Sequence, residues 1–223
     1  MSDVFAKVIT LGDAIVERLS HHSVESTGIN DARFPWQDRI YYSHQFRRAH
    51  LNIVDARDTL KIWMMHFTIF PHTNDPSPIF GLDIVAGANR ISGAFHDFSC
   101  AGDCNHFMMA EFADFVKDLT WKKERELPEW AQKIFSSSMV AVGAMDKESE
   151  IDQLIQLSLS NLDYYLENVG ENQDDSNNYY MAQNKYCYWQ KQNPHNASIM
   201  KKLGLSDEDA EKFVAEVMFP EIR

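Results

Sequence analysis

Nucleotide-binding glycine motifs are missing from this chain. Neither G-x-G-x-x-G nor a Walker-type loop occurs in its 223 residues, and "VAGANRISG" (85–93) reads as a Gly-containing turn, not a phosphate cradle. An oxidoreductase built on this sequence would carry no nucleotide site of its own. No Ser or Cys nucleophile elbow stands out either. Cysteine is scarce: three residues, an odd number in a chain this size, do not make a disulfide framework and fit a reducing compartment. Basic residues are in deficit, 21 Lys+Arg against 33 Asp+Glu for a net charge of −12. A field of that sign repels nucleic acid and anionic membranes, although local basic patches remain compatible with it. The first twenty residues carry Asp3, Asp13 and Glu17 and hold no continuous apolar run of signal-peptide length. A soluble, cytoplasmic protein is expected. Linkers, repeats and low-complexity segments are also missing, so one domain over residues 1–223 with one sizeable core is the natural division.

What is present divides into three textures. Val4, Val8, Leu11, Ile15 and Leu19 recur at helical spacing. Between about Arg39 and Ser99 come β-rich runs, "RIYYSH", "AHLNIVDA", "TLKIWMMHFTIFP", "FGLDIVAG" and "RISGAFHDFS". Their separators "DARD", "PHTNDPSP" and "AGAN" are short and turn-forming, which favours an antiparallel meander over parallel crossovers. After Asp103 the pattern is helical again: "FMMAEFADFVKDLTW", a segment beginning near "LPEWAQKIF", and "KESEIDQLIQLSLSNLDYYLENV" with a stripe of Ile151, Leu154, Ile155, Leu159, Leu162 and Leu166. "ENQDDSNN" reads as an exposed polar loop, and Ser206 with Asp209 as a capping box opening a last helix. The fold class expected is α/β: a central antiparallel sheet with helices on both faces.

Two residue groups invite chemistry. His96, Asp97, Cys100, Asp103, Cys104 and His106 crowd one strand end and loop, but no second Cys or His pair at ligand spacing supports zinc, and no metal is assigned. Asp83 interrupts an otherwise apolar strand, and His66 lies in the strand before it. If the two strands pair about "PHTNDPSP", residues near 66 and 83 sit almost opposite. A facing Asp and His in a low-dielectric interior can share or relay a proton near neutrality. From spacing alone, a buried aspartate holding a turn amide beside a hydrogen-bonded core histidine is the simpler account. Aromatics at 12%, with Trp63, Trp130 and Trp189, suit a flat apolar ligand, although core packing explains most of them. Arg125, with Lys122, Lys123, Lys185, Lys191, Lys201 and Lys202, offers carboxylate contacts or solvated surface charge.

Several motifs in register resemble the ferredoxin-dependent bilin reductases, particularly their phycocyanobilin-forming branch. They are "QFRRAH" (Gln45 to His50), H-x-x-x-F-P (His66 to Pro71), "PIFGLDIVAG" (Pro78 to Gly87), S-x-A-x-x-D-x-S (Ser92 to Ser99), "RELPEW" (Arg125 to Trp130), "KYCYWQKQN" (Lys185 to Asn193) and "VMFPEI" (Val217 to Ile222). The resemblance implies an α/β/α sandwich that binds biliverdin IXα between the sheet and the helices after it. It implies electrons arriving singly from a reduced [2Fe-2S] ferredoxin, no bound cofactor, and a monomer, and the net charge adds the expectation of no nucleic-acid or membrane partner. It also implies that Asp83 is the catalytic aspartate, His66 its partner histidine and His50 a second histidine linked to the first. Ser92, Arg125 and Gln190 fall where the family contacts propionates, whereas Asp97 matches a motif aspartate with no role attached.

Two departures bear on the product. The phycocyanobilin branch has a glutamate two residues after the histidine matching His50, where it helps protonate the D-ring vinyl group. Here that position is Asn52, which is no acid. The strand between His50 and His66 is two residues longer, which offers Asp55 a route to the same place if the extra residues precede it. The second proton donor of phycoerythrobilin-forming branches aligns with Asn193, and the lysine near the propionates becomes His195 or a neighbour. The expectation is four-electron reduction of biliverdin IXα to phycoerythrobilin through 15,16-dihydrobiliverdin, with phycocyanobilin the alternative product and a non-catalytic bilin carrier the alternative of another class.

Overall fold

The computed structural model describes residues 3–26 and 35–223. Helix α1 (Val4–His22) is opened by Asp3, whose carboxylate accepts from the Ala6 amide at 3.3 Å, and its predicted stripe is buried from Val4 to Leu19. Seven described strands follow: β1 (Val24–Ser26), β2 (Trp36–Tyr42), β3 (Phe46–Ala56), β4 (Ile62–Pro71), β5 (Ile79–Gly87), β6 (Arg90–Ser99) and β7 (Val140–Met145). They form one antiparallel sheet in the order β1-β2-β3-β4-β5-β6-β7, the meander that the short turns predict.

Helix α2 (Phe107–Val116) lies in the long connection from β6 to β7, and α3 (Glu148–Asn168), α4 (Tyr180–Gln190), α5 (Pro194–Lys202) and α6 (Asp207–Lys212) complete the chain. Ser206 caps α6 as predicted, accepting from the Asp209 amide. A π-helical turn, Phe213–Met218, continues α6 towards the C-terminus.

Three elements differ from the sequence reading. The segment at "LPEWAQKIF" is not a helix but a single 3₁₀ turn, Ala131–Lys133. Strand β7 falls in a region read as helical, because six residues of "VAVGAM" are too few for periodicity to separate a buried strand from a helix. Helix α4 gives little amphipathic signal, since its buried face consists of Gln183, Tyr186, Cys187 and Gln190, two of them amides.

Side chains alternate along each strand, so the sheet divides the core in two. Met65, Phe67 and Ile69 of β4 join the cluster with Val8, Leu11 and Ile15 of α1 and Ile151, Leu154 and Leu162 of α3. The opposite parity, Ile62, Met64 and Phe70, packs with Val54, Tyr186, Met200, Phe213 and Met218 under the C-terminal helices. Both faces are therefore covered by helices. Among the described residues no helix is long and apolar enough to cross a membrane.

Candidate active site

The C-terminal face of the sheet carries a row of polar residues that run across the strands instead of along them. Asp38 of β2 is the register partner of Asn52 on β3, Asn52 of His66 on β4, His66 of Asp83 on β5, and Asp83 of Phe95 on β6. Register partners share a face at roughly 4.5–5.5 Å, so the row is contiguous. His66 Nδ1 and Asp83 Oδ1 are hydrogen-bonded at 2.5 Å. The His66 side chain is 12% exposed and that of Asp83 38%, so the aspartate is the member that reaches open space.

His50 lies two residues before Asn52 and hence on the same face, its ring centroid 6.0 Å from that of His66. It is fully buried, and burial pulls its pKa down to about 4 against the raising influence of Asp38. The neutral ring therefore donates Nε2–H to Asp38 Oδ1 at 2.5 Å. Asn52 Nδ2 also approaches Asp38 Oδ1, at 3.4 Å. Sequence reasoning overlooked Asp38. The signal available was its position two residues before the β-rich run "IYY", on the face that would pair with Asn52.

The C-terminal segment closes this face. Phe219 sets its ring edge-on to His66 with centroids 5.2 Å apart. Arg48 Nη2 donates to the Val217 carbonyl, and Asn184 of α4 makes two bonds with Ile222, donating to its carbonyl at 2.9 Å and accepting from its amide at 2.8 Å.

A narrow crevice over the pair is lined by His66, Asp83, Phe95, Asp97, Tyr186 and Gln190, among others. Phe135 and Met139 line both this crevice and a wider cleft of about 610 Å³ that reaches Arg125 along the β7 edge. Residues 123–125 extend that edge: Arg125 N donates to Ala141 O at 2.8 Å, and Gly143 N to Lys123 O at 3.0 Å. The Arg125 guanidinium then donates to the Ser92 carbonyl and lies 5.7 Å from the Phe95 ring centroid. The acid–base pair thus lies in a narrow crevice that shares Phe135 and Met139 with the cleft lined by Arg125, and the volume of that cleft falls in the range of small-molecule sites.

The family model for ferredoxin-dependent bilin reductases matches residues 13–220. The chain belongs to that family. It is accordingly an oxidoreductase that depends on ferredoxin. It is 28% identical over 188 residues to the phycocyanobilin:ferredoxin oxidoreductase of Prochlorococcus marinus, covering 82% of this chain and 74% of that protein. A Synechococcus protein of the same name is 26% identical over 84% of this chain and 76% of its own length. Among solved structures, that of PcyX is similar with a TM-score of 0.72 and 26% identity over 97% of this chain and 99% of that one. Tomato phytochromobilin synthase in complex with biliverdin shares the fold with a TM-score of 0.72 at 14% identity, over 96% of this chain and 82% of that one.

The reductase brings together His66, Asp83, His50 and Asn52 on one face, with Gln190 in the same crevice and Arg125 in the adjoining cleft. Gln190 is buried and donates to the Tyr186 hydroxyl at 2.8 Å. Ser92 sits beside Arg125, but its hydroxyl donates to the Val85 carbonyl at 2.9 Å across the bulge between β5 and β6. Asn193 caps α5, accepting from the His195 amide at 3.0 Å, and His195 is exposed; neither lines the crevice or the cleft. Asp55, considered for the same place as Asn52, does not lie on this face. Pairing of β3 with β4 runs without a shift from Arg48 to Ala56, so a residue three beyond Asn52 faces the other way, and Asp55 pairs with Arg57 in solvent.

Asp97 has a structural explanation. Burial pushes its carboxyl pKa up, while hydrogen bonds from Ser136 and Ser99 offset that cost and tie β6 to the loop bearing Phe135 and Met139. Its neighbour His96 faces the opposite core, donating Nδ1–H to Gly81 O at 2.7 Å and accepting from Asn161 at 2.9 Å. Cys100 and Cys104, expected to be reduced, form a disulfide with Cα atoms 5.0 Å apart, because the turn after β6 folds the four-residue spacing back on itself. Of the lysines considered as a basic face, Lys122, Lys191 and Lys201 are paired with Asp146, Glu221 and Asp207.

Proposed function

We propose that this reductase takes biliverdin IXα through four electrons, delivered singly by a [2Fe-2S] ferredoxin, and four protons to a phycobilin, with phycoerythrobilin the main product by way of 15,16-dihydrobiliverdin. The observation that carries the reading is the 2.5 Å His66–Asp83 pair lining a narrow crevice with Phe95, Phe135 and Met139. Each added electron makes the bilin more basic, the first and third leaving it a radical, and a positioned acid then decides which atom is protonated. Asp83, the more exposed member, meets the substrate; His66 holds it and returns a proton to it. Arg125 receives a propionate at the cleft, beside Ser92, while Phe95, Phe135 and Met139 flank the rings.

The product assignment rests on Asn52. It occupies the position of the D-ring acid in the phycocyanobilin branch, yet it is an amide and is 2% exposed, hydrogen-bonded to Asp38 beneath the surface. With no acid presented there, protonation by Asp83 at the 15,16 bridge and then at the A-ring diene is the course left open. Turnover of biliverdin with a ferredoxin-reducing system, followed by product chromatography, tests this. Phycoerythrobilin is expected; phycocyanobilin as sole product would overturn the assignment, and unreduced biliverdin would overturn the reading as a whole.

A further inference from the structure

The reductive pair has a second pair behind it. Asp38 is a fully buried carboxylate on β2, across the strand pair from Asn52, and it takes no part in the chemistry assigned above. A carboxylate in such a place is costly unless its surroundings use the charge. Among the groups bonded to it is His50, whose ring lies 6.0 Å from that of His66. We propose that Asp38 is a positioning residue of the reduction site: it fixes His50 as the Nε2–H tautomer, leaves Nδ1 as the ring's only acceptor, and supplies the charge that lets His50 take up and pass on a proton for the His66–Asp83 pair.

The geometry gives each part of this a reason. With Nε2–H committed to Asp38 Oδ1, the tautomer of His50 is set by its partner, as a buried imidazole's is. His50 Nδ1 and His66 Nε2 are both buried and make no hydrogen bond to protein, so the two free ring nitrogens belong to neighbouring rings on one face. Four protons are consumed per substrate while Asp83 holds one at most, so the site needs resupply, and the Asp38–His50 pair is the ionisable couple next in line. The charged and titratable groups around His50 are Asp38 from β2, Arg48 from its own strand and His66 from β4; Arg48 and His66 disfavour a charge on the ring, and Asp38 favours it. Asn52 lies between the two pairs as a neutral amide and steadies Asp38 without competing for the proton. The carboxylate thus stands one strand further from the substrate than residue 52, too deep to protonate the bilin itself.

This inference deepens the function proposed above, and the test separates the two. Asp38→Asn, Asp38→Glu and the exchange Asp38→Asn with Asn52→Asp are compared with wild type for biliverdin affinity, the pH dependence of turnover, and the His50 tautomer by NMR of histidine-¹⁵N protein. Asp38→Asn should bind biliverdin as wild type does but turn over at least about tenfold more slowly, with its optimum moved to lower pH because His50 has lost the group that favours its charge. Asp38→Glu, or the exchange that returns a carboxylate to the opposite strand, should recover rate and optimum together. A wild-type rate and optimum in Asp38→Asn would overturn the inference, as would a loss of rate with unchanged optimum that neither carboxylate variant recovers. Failure of wild type itself to reduce biliverdin would instead overturn the proposed function, and the relay with it.

Discussion

A Cβ atom on Gly143 would overlap Arg125 Nε and come within 2.9 Å of the Ser92 carbonyl oxygen. Gly143 is the register partner of Gly93, so a pair of glycines on β6 and β7 makes the shallow trough in which the guanidinium lies. Arg125 is therefore placed by backbone hydrogen bonds and by the absence of side chains beneath it. Arg125→Gln should raise the KM for biliverdin about tenfold to a hundredfold, the worth of a charge-assisted hydrogen bond of about 1.5–3 kcal/mol, with a smaller change in kcat. Gly143→Ala, far from Asp83 in sequence and chemically mild, should do the same by displacing the arginine. Equal KM values in both variants and wild type would remove Arg125 from substrate binding.

Acid should weaken the fold steeply. Burial holds His50 and His96 each at a pKa of about 4, below the ordinary imidazole value near 6.5. Both are depressed in the folded state, so below pH 6.5 the unfolded chain takes up protons that the native one refuses. Their contribution to stability is complete above that pH and is lost as pH falls towards 4. The slope approaches ~1.4 kcal/mol per pH unit for each group. Urea unfolding at a series of pH values measures it, and His96→Gln, less stable at neutral pH, should show a flatter dependence by about one proton. A midpoint that does not move between neutral pH and 5 contradicts the burial of both rings as neutral groups.

The tail latch has its own test. Asn184→Ala removes both bonds to Ile222, at about 1 kcal/mol each, and frees the segment that seats Phe219 against His66. Turnover should fall by more than the loss of stability explains, with the far-ultraviolet spectrum unchanged. An unaltered rate means that the edge contact with Phe219 is packing alone.

Ferredoxin has to approach a chain of net charge −12. With Lys122, Lys191 and Lys201 paired with carboxylates, Arg125 is the basic group expected to attract it at the cleft. The rate at subsaturating ferredoxin should drop as ionic strength passes about 0.1 M, where the screening length is near 10 Å. A rate indifferent to salt counts against an electrostatic encounter at this edge.

The meander, α1, α3 and the facing of His66 and Asp83 were legible in the sequence because they follow from period-2 and period-3.6 patterning and from short turns. Asp38 was not: period two back from Ile40 puts it on that face, but its bond to His50 depends on the cross-strand register of β2 with β3. Asp55 misled for the same reason, since only an unbroken ladder from Arg48 to Ala56 shows which way it faces. Asn193 matched a catalytic position by alignment, yet locally it has the chemistry of a helix cap and performs that role. Helix α4 escaped notice because two of the four residues on its buried face, Gln183 and Gln190, are amides that hydrophobic periodicity cannot register.

The central claim is that protons for the bilin come from Asp83 held by His66. Asp83→Asn keeps the shape of the site but takes away the acid. Mixed with biliverdin and an excess of reduced ferredoxin, more than four equivalents, without oxygen, it should bind the pigment and accumulate a coloured organic radical, seen by electron paramagnetic resonance, with product formation down about 10²–10⁴-fold. Full conversion at the wild-type rate, with no radical detained, would contradict the account.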